Sequence, residues 1–172
     1  MLNCCISTSK ELILNFNCCK SSCKAICQVS SYVISNMQLG FSNISWSSSF
    51  KYLGVTFIGG KNLSVDINIV KRKFYSACNC ILRKTCSLNE IMRFNLQECF
   101  CLPVLQYAMA AVRLSKLQVS ELNACWNSVF IYIFASAKSE SVRAFIFGMG
   151  RIDFTHIRML QSYNFYEKSV IE

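Results

Sequence analysis

The chain has 172 residues, 53% of them hydrophobic, and a formal charge of +9 from 18 Lys and Arg against 9 Asp and Glu. That length fits one domain, or one and a small piece, with enough apolar side chains for a core. The charge makes an anionic partner a natural expectation, and the longest apolar run, the 14 residues Cys99 to Val112 with Pro103 and Gln106 inside it, is too short to span a bilayer.

A single Pro and six Gly predict mostly helices and short loops. The start, Met1-Leu2-Asn3-Cys4-Cys5, has no basic segment followed by an apolar core. An intracellular rather than secreted protein is therefore expected. In that setting the 12 cysteines read as reduced thiols, not as a disulfide framework. Cys19, Cys23 and Cys27 recur every four residues. Zinc sets favour tighter Cys pairs joined by histidine, and the one histidine, His156, is far away. No metal site or cofactor is expected.

Taken in order, Lys10 to Asn17 predicts a short helix ending in a turn, and Cys23 to Val29 a strand. Met37 to Ile44 and Ser49 to Phe57 alternate as strands do, with the polar link Ser45-Trp46-Ser47-Ser48 between them. Those runs predict a β-hairpin at about 37–57. Within Ser49 to Phe57, the period of two places Phe50, Tyr52 and Thr56 on one face and Lys51, Leu53, Val55 and Phe57 on the other. Gly54 then reads as a bulge, or as a point where a backbone or ligand comes close.

Gly59-Gly60 reads as the domain boundary. A long helix is expected from about Ser64 to Lys84, with Ile67, Val70, Phe74, Ala77, Cys78 and Ile81 inward. Arg72, Ser76, Asn79 and Arg83 fall opposite, flanked by Lys71, Lys73 and Lys84. Such a face is either a solvated basic surface or one that tracks phosphates. Ser87 to Glu90 reads as a capping box opening a second helix, kinked at Pro103 and continuing to about Val112. Its second half is apolar nearly all round, so it is expected at the centre; Glu98 in it should pair with Arg93 or another base. Ser115 to Gln118 caps a third helix, with Leu122, Cys125, Trp126, Val129 and Ile133 inward. Ser139 and Asp153 read as caps of two more helices, the last with Phe154, Ile157, Leu160 and Phe165 inward. Capping boxes and 3.6-residue stripes together predict four or five helices.

The string Phe50-Lys51-Tyr52-Leu53-Gly54-Val55 resembles the primer-grip hairpin of reverse transcriptases from non-LTR, LINE-type retrotransposons. Upstream, Leu14, Phe16, Asn17, Lys20 and Ser21 follow the family's motif D in order. Downstream come Lys73-Phe74-Tyr75-Ser76-Ala77-Cys78-Asn79-Cys80-Ile81-Leu82 and Leu102-Pro103-Val104-Leu105-Gln106-Tyr107. Then follow Trp126-Asn127, Ile133-Phe134, Glu140-Ser141-Val142 and Gly150-Arg151-Ile152-Asp153. The resemblance covers about residues 11–165. Each motif is modest; the ordered set is more specific.

The resemblance implies a mainly α protein, a helical thumb-like bundle preceded by a small α/β piece. Residues 1–60 would be the end of the palm and 61–172 the thumb. It makes Lys20 the motif D lysine that helps protonate departing pyrophosphate, and Phe50, Lys51, Tyr52, Leu53 and Gly54 the primer grip. It lays that hairpin and the first thumb helix, with Lys71, Arg72, Lys73, Arg83 and Lys84, along an RNA or DNA duplex.

Polymerase chemistry needs two divalent metals about 3.5–4 Å apart, held by carboxylates. The family supplies them from an upstream Asp and a Y-x-D-D turn, and the intact enzyme uses Mg²⁺. Here the only aspartates are Asp66 and Asp153, and each has a helix-start explanation. The expectation is a truncated reverse transcriptase fragment without polymerase activity, its fingers and catalytic palm lying before Met1. The alternatives are a basic helical module that binds nucleic acid or a partner, and a remnant without function.

Overall fold

The computed structural model describes residues 8, 11–13, 17, 21–24, 37–39, 42–109, 111–134 and 139–171. The chain is mainly α-helical with a small β-rich piece on the N-terminal side. It divides into two compact units, Met1–Val65 and Asp66–Glu172. Gly59-Gly60, read as the boundary, lies inside the first unit, between two paired strands. The predicted helix at 10–17 and the strand through Val29 fall largely outside the described residues.

Among the described residues the first unit holds two three-stranded sheets. Strands β1 (Ser22–Cys23), β2 (Met37–Leu39) and β3 (Ser42–Trp46) take the order β1-β3-β2. β1 runs parallel to β3, and β2 antiparallel with Met37 opposite Ile44. Strands β4 (Ser49–Tyr52), β5 (Val55–Ile58) and β6 (Ser64–Val65) form an antiparallel sheet in that order.

This corrects the single hairpin expected over 37–57. The run from Ser49 to Phe57 is not one strand with a bulge but a hairpin in itself. Leu53 and Gly54 both have positive φ, 44° and 80°. That is the type I′ combination, whose twist matches that of the flanking strands. Ser45 and Trp46, read as a link, belong to β3. The faces change too. Directly opposed residues share a face, so Phe50 with Phe57 and Tyr52 with Val55 lie on one side, Lys51 with Thr56 on the other. The Phe50 and Phe57 rings stack with centroids 5.2 Å apart. At Gly59 a Cβ would fall 1.8 Å from Lys24 Cε, so the missing side chain leaves room for the lysine stem.

The second unit begins with α1 (Ile67–Lys84). Asp66 is its N-cap, accepting from the Asn68 N–H at 3.0 Å, and β6 takes the two residues expected to open the helix. Thr85 closes it by donating its hydroxyl to Ile81 O at 2.8 Å. The next helix, α2 (Glu90–Phe100), is capped by Asn89 rather than by Ser87; its side-chain oxygen accepts from the Met92 N–H at 2.8 Å. Asn is as good a cap as Ser, and here it adjoins the first helical residue.

The chain breaks at Cys101 and resumes as α3 (Leu102–Gln106) with Pro103 in its first turn. The kink was expected at that proline; continuation to Val112 was not met. Tyr107 leaves the helical region and Ala108 turns to φ 60°, which ends α3. Helix α4 (Lys116–Phe134) opens on the expected capping box. Gln118 Nα donates to Ser115 Oγ at 3.2 Å and Ser115 Nα donates to Gln118 Oε1 at 3.0 Å. Helix α5 (Ser139–Gly148) ends with Gly150 at φ 66°, where Arg151 Nα donates to Ile146 O at 3.0 Å. The last helix, α6 (Phe154–Ile171), has Asp153 as its cap.

The core of this unit is aromatic. Phe94 lies 4.5 Å from Phe130 and 5.8 Å from Trp126, and Phe74 lies 6.4 Å from Trp126 between centroids. These separations suit tilted ring pairs. The central helix is α4, which packs against α1, α2, α5 and α6 and buries Leu122, Cys125, Trp126, Val129, Phe130 and Ile133. The α2–α3 segment is not buried all round as expected: Phe100 and Tyr107 are exposed. On α6, Phe154 is buried but Leu160 and Phe165 are exposed, a second correction to the expected inward face.

Candidate nucleic-acid interface

The hairpin β4–β5 carries the residues assigned to a primer grip. Its turn exposes Tyr52 and Leu53, at 62% and 71% of their surface. Lys51 is exposed on the face opposite the Phe50–Phe57 stack. Gly54 supplies the second positive φ of the turn, which costs glycine nothing. Lys20, assigned to motif D, lies outside the described residues.

On α1 the geometry divides the five basic residues into two sets. At ~100° per residue, Arg72 and Arg83 project on nearly the same line, with Ser76 and Asn79 between them. All four are exposed, as are Lys73 and Lys84 along one flank. The opposite face buries Ile67, Phe74, Cys78 and Leu82. Arg72 and Arg83 are separated by about 16 Å along the axis at ~1.5 Å per residue. Neither they nor Lys73 and Lys84 have a carboxylate partner among the described residues.

Lys71 does not belong to this row. It lies at the edge of the buried face, where its Nζ meets Glu121 Oε2 of α4 at 2.8 Å. The hydrogen bond to that carboxylate raises the lysine pKa above its ordinary value, against the smaller opposing effect of burial. Its charge is spent joining α1 to α4. Sequence periodicity could not separate Lys71 from Arg72 and Lys73, because Glu121 stands fifty residues away.

Elsewhere acids and thiols have structural partners. Glu98 pairs with Arg151 at 2.9 Å rather than with Arg93. Asp153 accepts from the His156 N–H at 2.9 Å, and His156 Nδ1 lies 2.6 Å from the same oxygen. Burial raises the Asp153 pKa, but the His156 hydrogen bonds, with the His156 and Arg143 charges, outweigh it and hold the carboxyl below its usual range. Cys78 and Cys101 are buried together; the hydrogen bond between them, then burial, pushes the Cys78 thiol up and keeps it protonated. Among the described residues no group of three His, Cys, Asp or Glu is placed to hold a metal ion. Among them, too, no helix is long and apolar enough to cross a membrane.

Some of the motif residues that carry the retrotransposon resemblance are packing positions here, Phe74, Leu102, Leu105, Trp126, Ile133 and Val142 being buried, while Lys73, Tyr75, Asn79 and Tyr107 are exposed. A further basic feature escaped the sequence reading, a cleft between Arg113 and Arg158. Its trace in the sequence is the spacing of Arg158, Ser162 and Tyr166, four residues apart on one helix face. Comparison of the chain with protein-family models, curated proteins and solved structures finds no match.

Proposed function

We propose that this chain is a fragment of a reverse transcriptase of the non-LTR type, corresponding to motif D, primer grip and thumb. Alone it binds a nucleic-acid duplex weakly, through phosphates, and copies no template. The observation that carries the reading is the exposed row Arg72, Ser76, Asn79 and Arg83 on α1, flanked by Lys73 and Lys84 and without carboxylate partners among the described residues. Cations held on one rigid face are suited to a polyanion. The tight turn at Leu53-Gly54 supports the reading from the other unit, because it exposes a backbone corner of the kind a grip uses.

The test is duplex binding as a function of salt. Each phosphate neutralised contributes a slope of roughly −0.9 in log K against log[salt], so two to four contacts give about −2 to −4. Affinity should be on the order of 10⁻⁴–10⁻⁶ M at physiological salt and indifferent to sequence. Replacing Arg72 and Arg83 by Gln should flatten the slope by about 2. Lys71→Gln should leave the slope unchanged while lowering stability, since its charge faces Glu121. A double variant with the parent's slope would reduce the row to a solvated surface. Primer extension by the purified chain with Mg²⁺ or Mn²⁺, abolished by chelation, would overturn the fragment reading. An adjoining upstream reading frame with a Y-x-D-D turn would support it.

A further inference from the structure

In the second unit, the segment after α3 and one face of α6 line an open cleft of about 580 Å³. Arg158, Ser162 and Tyr166 line it from successive turns of α6, and Val112 and Arg113 close it from the other side. No carboxylate is among its described lining residues, so the two arginines line it without a counter-charge. Neither arginine has an ion-pair partner among the described residues. Arg158 is half-buried, and its Nε lies out of contact with solvent and without a hydrogen-bond partner. The same arginine also lines the open cleft, and a negatively charged ligand there would supply the counter-charge that neither arginine has among the described residues.

We infer that the Arg113–Arg158 cleft is a binding site for a phosphate group. Arg is suited to phosphate because its planar fork can give two parallel charge-assisted hydrogen bonds. The Ser162 hydroxyl adds a donor on the same helix face. The Tyr166 ring and the Met159 side chain, both exposed beside it, offer an apolar surface on which a nucleobase can lie. The site stands apart from the α1 row and does not rest on it: the cleft can hold phosphate if α1 binds nothing. The same chemistry is offered by a free or terminal phosphate monoester and by a phosphodiester within a strand.

The experiment follows the arginine Nε–Hε resonances of the ¹⁵N-labelled full chain while inorganic phosphate is added at constant ionic strength. Arg158 should shift saturably and further than Arg72, and chloride should not reproduce the shift. Arg113→Gln, an exposed replacement, should weaken phosphate binding roughly ten- to hundredfold, the loss of a charge-assisted hydrogen bond, with the helical circular dichroism unchanged. A short oligonucleotide with and without a 5′-phosphate separates the sources. Saturation at equal concentration by both assigns the cleft to a strand's internal phosphates; saturation by the phosphorylated one alone assigns it to terminal or free phosphate. An Arg158 resonance that moves no more than that of Arg72, or that chloride moves equally, would overturn the assignment.

Discussion

The two units are built on different scales of order. The helical unit fully buries Trp126, Phe74, Phe94, Phe130 and Phe154, large rings supplied by four helices. In the β-rich unit, the described hydrophobic residues that are buried are Ile44, Val55 and Val65, and its aromatic pair, Phe50 and Phe57, is only half-covered. One unit is specified by side chains meeting across long sequence separations, the other by what a two-residue turn does to its neighbours. The contrast predicts which substitutions are costly and why.

The largest effect should come from Phe94→Ala. Phe94 has no exposed surface and touches three other rings, those of Trp126, Phe130 and Phe134. Truncating such a side chain costs about 3–5 kcal/mol, transfer and cavity together. Phe57→Ala removes a half-exposed ring from one cross-strand pair and should cost about 1 kcal/mol. Urea unfolding of both variants, followed by near- and far-ultraviolet circular dichroism, measures the difference. Equal losses would erase the distinction between the two units.

Next in size is the turn. Gly54→Ala forces a Cβ into φ 80° and should cost about 1–2 kcal/mol of hairpin stability. Leu53 already bears such a cost at φ 44°. Leu53→Asn would create the Asn-Gly pair preferred in type I′ turns and should stabilise the hairpin. The nuclear Overhauser contact between the Phe50 and Phe57 rings reports the population in both variants. A stabilising Gly54→Ala would show that the turn is not type I′.

The cap of α6 gives a pH-dependent effect. Asp153→Ala should cost about 1 kcal/mol at neutral pH. The Asp153 carboxyl is held below its ordinary pKa in the fold. Its contribution is therefore complete above the unfolded value, about 3.9, and is lost as pH falls through the lower folded value. Stability curves of parent and variant should converge below about pH 4. A gap that persists through that range would mean the carboxylate is not the stabilising group.

What could be read from the sequence follows the same division. Of the expected stripes, Ile67, Phe74 and Cys78 on α1 and Leu122, Trp126 and Val129 on α4 proved buried, while Val70, Ala77 and Ile81 are only half-buried. The Ser115–Gln118 box and the Asp153 cap act within one turn, so local text suffices. The β-hairpin was misread because period-two alternation runs through Leu53-Gly54 unchanged, while the positive φ of a leucine has no signature in composition. The end of α3 was missed for a similar reason, the left-handed turn at Ala108. For the basic face, the helix period found Arg72 and Arg83 together but could not see Glu121 of α4 capturing Lys71. Nor could it see Arg113 brought to Arg158 by the chain's return.

The smallest effect should come from Gln97, the buried amide of the aromatic core among the described residues. Gln97 is wholly buried; its Nε2 donates to Cys78 O at 3.1 Å, and its Oε1 has no partner. Cys78 lies in the interior of α1, where its carbonyl is positioned to accept from the helix as well. The amide therefore adds a second bond to an acceptor already served and leaves one acceptor of its own unsatisfied. Removing both polar groups together should cost little. Gln97→Leu, close in volume, should change stability by less than about 1 kcal/mol and is more apt to raise it than to lower it. Gln97→Ala, which also leaves a void against α1, should lose about 2 kcal/mol or more. Thermal or urea unfolding of the pair separates hydrogen bonding from packing. If Gln97→Leu falls as far as Gln97→Ala, the Gln97–Cys78 bond holds α2 to α1, and the helical unit depends on a polar contact as well as on its rings.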